Sequence, residues 1–224
     1  MKKHLVLLML SIGFFAGSPQ AATITVVNGS MNAAGSPDVQ SFNAFLPDDW
    51  DDLDPTSSTD IFDATTSFNS FTWLPSSDGG TFVHAIGPPL SNFPGEGIIQ
   101  EIVGLTIGTT YEVNFEQSYS RSTNANQGTG GHWEVVFGAE TKQSDFMVSP
   151  TLGVAFGWQD QSMLFTATSE TQNLSFQAVS PNVGDRIGVA LDGVSISAVP
   201  VPGAVWLFGS ALGLLAWMRR KEAS

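Results

Sequence analysis

The sequence predicts an all-β fold, an antiparallel β-sandwich or jelly roll, flanked by an N-terminal signal helix and a C-terminal transmembrane helix. Three observations carry this. Apolar and polar residues alternate with period two over several separate stretches, the mark of half-buried antiparallel strands. Clusters of Gly, Asn, Ser and Pro punctuate those stretches. No segment between Thr23 and Ala198 holds a long helical period, and many short strands with turn signals describe a sandwich or jelly roll.

In chain order, Lys2 and Lys3 precede the apolar run Leu5 to Phe15, LVLLMLSIGFF, with small residues at Ala21 and Ala22. A basic start, a short apolar run and small residues after it make residues 1–22 a secretory signal peptide. Residues 23–198 form one domain, too short for two comfortable ones. Within it Tyr111, Val113 and Phe115 alternate with Glu112, Asn114 and Glu116. Trp133, Val135 and Phe137 alternate with His132, Glu134 and Gly138. Met163, Phe165 and Ala167 follow the same rule, as do Leu174, Phe176 and Ala178. In the last strand the apolar positions are odd at Ile187, Val189 and Leu191, then even at Val194, Ile196 and Ala198. One inserted residue reverses the parity, so a β-bulge is expected at Asp192-Gly193. Three segments read as loops: the Asp-rich Pro47 to Asp63, the turn PSSDGG at Pro75 to Gly80, and the polar, Gly-rich Ser120 to Gly131.

Residues 199–224 differ in kind. Val199-Pro200-Val201-Pro202 gives way to an apolar span at about 203–218, which stops on Arg219, Arg220 and Lys221. Sixteen residues make about 24 Å of helix, short of a hydrocarbon core of about 30 Å, and the proline-rich start brings the span near the minimum. The basic stop faces the C-terminus to the cytoplasm and the domain outward.

Charge is segregated. Of 8 Lys and Arg, five lie in the two end segments, which leaves Arg121, Lys142 and Arg186 against 20 acids and a net charge of −17 for residues 23–198. Such a surface repels nucleic acid and anionic headgroups. It suits cations or neutral ligands. The absence of cysteine removes disulfide frameworks and thiolate metal sites.

Enzyme chemistry finds little support, and a non-catalytic protein is expected. A glycosidase needs two carboxyl groups about 5 to 9.5 Å apart. Glu112 and Glu116 lie four residues apart on one strand face, roughly 13 Å, while Glu134 on another strand remains open as a partner. No serine sits in a nucleophile elbow, and no phosphate-binding fingerprint occurs. The Asp-rich loop lacks the glycine and glutamate of an EF-hand and reads as a solvated acidic segment. Sugar recognition has better material. Flat aromatic faces stack on sugar rings, and Asp, Asn and Gln hydrogen-bond hydroxyls. Trp50 and Trp158, close to loops and acidic or glycine neighbours, are ligand-binding candidates. The polar row Asn114, Glu116 and Ser118, with His132 and Glu134 placed beside it, is a second candidate face.

Two resemblances sharpen these expectations. The tail resembles the PEP-CTERM sorting signal of Gram-negative bacteria in its Val-Pro-x-Pro variant, on Val199, Pro200 and Pro202, the apolar span, and Arg219, Arg220 and Lys221; Val201 stands where the name-giving form has Glu. This implies an exosortase as partner, transient anchoring in the inner membrane, cleavage near the prolines, a cell-surface or extracellular destination, and an association with exopolysaccharide and biofilm. The domain is similar to galactose-binding-like jelly rolls of carbohydrate-binding modules, on Val27-Asn28-Gly29-Ser30, Pro47 to Trp50, Gly79 to Val83, Gln100, Leu105 to Tyr111 and Leu191 to Ser195. That resemblance implies one structural Ca²⁺ between the first and last strands with Asp192 as metal ligand, although Met31 and Asn32 stand where an acidic residue is usual. Three roles follow: a non-catalytic binder of extracellular polysaccharide, a structural or adhesive matrix protein without a specific ligand, and a glycoside-active enzyme.

Overall fold

The computed structural model describes residues 24–33, 46–54, 59–65, 73–87, 95–120, 130–148, 157–180, 188–200, 211–213 and 218–219. The expected signal peptide, residues 1–22, lies outside them, as do Pro202, Arg220, Lys221 and most of the 203–218 span. Residues 211–213 and 218–219 are helical and exposed. No helix among the described residues is long and apolar enough to cross a membrane.

The described residues form eleven strands in order: β1 Asp51–Asp52, β2 Asp60–Asp63, β3 Thr81–Ile86, β4 Gly97–Val103, β5 Thr110–Ser120 and β6 Gly130–Phe137. Then come β7 Glu140–Gln143, β8 Met147–Val148, β9 Gln159–Thr166, β10 Thr171–Val179 and β11 Gly188–Ala198. They make two antiparallel sheets. One runs β2-β3-β11-β5-β9; the other runs β1-β4-β10-β6-β7, with β8 also paired to β6. Consecutive strands β5 and β6 therefore belong to different sheets.

The alternation read from the sequence is the burial pattern of the structure. Tyr111, Val113, Phe115, Trp133, Val135, Phe137, Met163, Phe165, Leu174, Phe176 and Ala178 all face the core between the sheets. Rings from the two sheets interlock: Phe115 meets Phe176 edge-on at 5.1 Å, and Phe137 meets Phe165 at 5.8 Å. Such pairs add about 0.5–1.5 kcal/mol each beyond the area they bury. Trp133 reaches across the sandwich, where its buried indole N–H is satisfied by donating to the Ala190 carbonyl at 3.1 Å. The predicted bulge is present. The β11–β5 register shifts between Asp192 and Ser195, and Gly193 takes a φ of 62°. Val194 and Ile196 thereby turn inward, while Ser195 and Ser197 stay out.

A smaller aromatic cluster lies on the outer face of the five-stranded sheet. Phe62, Phe82 and Ala190 come from β2, β3 and β11; Trp73 from the loop before β3 covers them, and Trp158 packs against the group. His84 joins this layer, its Nδ1 3.1 Å from Asp60 Oδ2, with both side chains buried.

Candidate functional site

Two faces of the sandwich were open to ligands on sequence grounds, and the structure keeps one set of candidates together. On β5 the even residues point away from the core, so Asn114 and Glu116 look outward. Their direct partners on β9 are Ser162 and Asp160. Paired residues in an antiparallel ladder share a face, with Cβ atoms about 4.5–5.5 Å apart. Trp158, one residue before β9, has the parity of Asp160 and Ser162. It contacts Phe82 edge-on at 5.2 Å, is half-buried, and donates its indole N–H to the Leu74 carbonyl at 2.6 Å. The same outward face holds a cavity of about 260 Å³ lined by Asn114, Phe115, Glu116, Asp160, Gln161, Ser162 and Gly193; Trp158 is not part of its lining. That is just under the roughly 300–1,000 Å³ of pockets that enclose drug-sized ligands, so it has room for a small group or a single ring.

Two carboxylates, Glu116 of the cavity lining and Asp192 next to Gly193, hold the turn at Pro75 to Gly80. Glu116 Oε2 accepts the Ser77 backbone N–H at 3.0 Å, and its Oε1 accepts the Ser77 hydroxyl. Asp192 Oδ2 accepts the Ser76 hydroxyl at 2.5 Å, and its Oδ1 accepts the Gly193 N–H at 2.8 Å. Asp192 has no exposed surface. Burial pushes its pKa up to about 7, Asp78 and Glu116 push the same way, and the bonds from Ser76 and Gly193 oppose them. Glu116 thus lines the cavity while anchoring the turn, and Asp192 is a buried group that holds the same turn.

Three sequence candidates do not belong here. Trp50, expected near the surface, is buried in the main core. Its ring meets Phe176 at 6.2 Å and its N–H donates to the Asn28 carbonyl at 3.2 Å. The turn at Pro47 leaves Asp48 and Asp49 in solvent and folds the large apolar ring inward, since burying it stabilises far more than exposing it. His132 and Glu134 sit on β6, in the other sheet, facing solvent from the opposite side of the sandwich. They are not beside Asn114 and Glu116, and Glu134 cannot pair with Glu112 or Glu116 as a catalytic dyad. Partial burial holds His132 below the usual histidine pKa, against the opposing pull of Glu134.

The donors around Asp192 do not fit a calcium ion. Its carboxylate is spent on Ser76 and Gly193, and Gly29 O at the facing end of the chain accepts the Val194 N–H at 2.9 Å. Side-chain N–H groups meet the nearby backbone carbonyls: Gln100 Nε2 donates to Val27 O and Asp49 O, and Asn28 Nδ2 to Asn32 O and Asp48 O. A cation needs converging oxygens, and here donors converge instead. Among the described residues no group of three or more His, Asp or Glu side chains is arranged for a metal.

Asp160, Ser162 and Gln161 were missed by reading the sequence. Their signal was present: carrying the alternation of Met163, Phe165 and Ala167 back by four residues puts Ser162 and Asp160 on the outward face.

No family model matches the chain, and no curated protein does. Among solved structures, it is similar to FisC, a Stig cyclase from Fischerella sp. TAU crystallised with an indole ligand, at 16% identity and a TM-score of 0.50, over 81% of this chain and 100% of that one. It is also similar to the C-terminal CBM6 of LamC, a marine laminarinase from Zobellia galactanivorans, at 16% identity and a TM-score of 0.34, over 62% and 99%. A third is TmCBM61 in complex with β-1,4-galactotriose, at 12% identity and a TM-score of 0.39, over 68% and 90%. At these identities the likeness concerns the fold.

Proposed function

We propose that this is an exported, non-catalytic surface or matrix protein that binds extracellular polysaccharide on the outer face of its five-stranded sheet. The observation that carries the reading is the half-buried Trp158 on the same outward face as a cavity lined by Asn114, Asp160 and Ser162. A sugar ring stacks on the free part of the indole, and the three polar side chains take its hydroxyls. The density of carboxylates suits neutral or amino-bearing sugars and disfavours sulfated or uronic chains. The C-terminal segment supports export, exosortase processing and a transient stay in the inner membrane through its apolar span, and intact mass of the exported protein tests this, with a cut expected near Pro200 to Pro202.

Affinity electrophoresis against a panel of neutral polysaccharides tests the binding. Trp158→Ala is expected to weaken retention about five- to a hundredfold, since loss of one stacked aromatic costs roughly 1–3 kcal/mol. His132→Ala, on the opposite face, is expected to leave it unchanged. Retention that ignores Trp158 and Asn114 alike rejects this face.

A further inference from the structure

Among the described residues β9 is an edge strand, paired to β5 alone. The outward backbone groups of an edge are a template for a second strand. Leu164 O and Thr166 N flank Phe165 on the outward side of β9, and neither is left to solvent. The Lys142 ammonium donates to Leu164 O, and Glu140 Oε1 accepts the Thr166 N–H at 2.9 Å. Both side chains come from β7, the edge of the other sheet. Lys142 Nζ also lies 4.9 Å over the Phe165 ring and 3.9 Å from Glu140 Oε2.

The chemistry of this arrangement is that of a strand residue. In a parallel ladder one partner residue donates its N–H to the carbonyl before the facing residue and accepts from the N–H after it. Lys142 supplies the donor and Glu140 the acceptor at those two places. Lys142 is also the one Lys or Arg among the described residues of 23–198.

We propose that Glu140 and Lys142 form a side-chain cap that keeps the β9 edge from pairing with β9 of a second copy of this chain. A second copy is the fitting occupant because β9 is compatible with itself. In a two-fold antiparallel pair centred on Met163, Asp160 faces Thr166 and Ser162 faces Leu164, so no like charges meet. Leu164 is half exposed and would be covered in such a pair.

The test uses the protein without its signal peptide and tail-independent readouts. Hydrogen exchange comes first: Glu140→Thr alone is expected to speed exchange of the Thr166 amide about tenfold, the effect of losing one hydrogen bond. An unchanged rate overturns the cap. Sedimentation at about 0.15 M salt comes second. The unaltered chain is expected to be monomeric, and Glu140→Thr with Lys142→Met, both fitted to a strand, to give a reversible dimer. Adding Thr166→Pro, which removes the edge N–H, should return that variant to monomer. A double variant that stays monomeric, a dimer indifferent to Thr166→Pro, or an unaltered chain that dimerises through Thr166 each overturns the proposal. None of these outcomes depends on sugar binding.

Discussion

Asp192 shows how one residue couples the site to pH. Its carboxyl titrates near 3.8 when the chain is unfolded and at about 7 when folded. Between those values the folded chain holds a proton that the unfolded chain has lost, so stability falls as pH rises, by up to about 1.4 kcal/mol per pH unit. The contribution is fully present below pH 3.8 and gone above about 7. Asp192→Asn keeps a neutral group beneath the Pro75 to Gly80 turn. It is expected to flatten the decline in urea-unfolding stability from pH 5 to pH 8, and at pH 8 to exceed the unaltered chain by roughly 2 kcal/mol. The other carboxylates are common to both chains, so the difference isolates this one. Sequence marked Asp192 as a metal ligand by resemblance; what it faces, Ser76, comes from 116 residues away and no local pattern announces that.

At the scale of the element, the bulge in β11 is the feature that connects reading and structure most directly. The parity flip in the sequence located it, because one extra residue must send the following side chains to the other face. Gly193 lies at a φ of 62°, and a Cβ there would meet nothing nearer than Glu116 Cγ at 3.7 Å. The cost of Gly193→Ala is therefore backbone strain rather than a clash, about 1–2 kcal/mol in a denaturant titration. Gly193→Asn should cost less, since asparagine enters the left-handed region more readily. Equal losses for the two would assign the effect to space instead. The same strand logic explains the pairs that were misplaced. β5 and β6 are neighbours in the chain, so Asn114 and His132 read as neighbours in space. The sheet order β2-β3-β11-β5-β9 instead seats β5 between β11 and β9.

For the whole molecule, the hydrogen bonds that Gln100 and Asn28 donate at 2.6–2.9 Å occupy backbone carbonyls at the end where the first described segment meets β11. Chelation with EDTA is expected to leave the thermal midpoint unchanged, because removing an ion lowers stability only where the folded state binds it. Gln100→Ala is expected to cost about 1–3 kcal/mol by leaving two partly buried carbonyls and the Val27 N–H without their partner. The all-β class, the inward and outward residues of the main strands, the bulge and the acid-rich, cation-poor character of the domain were all determined by the sequence alone. They follow from local period-two patterning, a parity change and composition, none of which needs to know what lies across the core. Which strands share a sheet, that Trp50 is buried while Trp158 stays half open, that Asp160 and Ser162 complete the face begun by Asn114, and that Glu140 and Lys142 cover the β9 edge were decided only in three dimensions. Each depends on pairing between residues far apart in the chain, where packing and hydrogen-bond satisfaction across the sandwich select one arrangement among several that the same alternation allows.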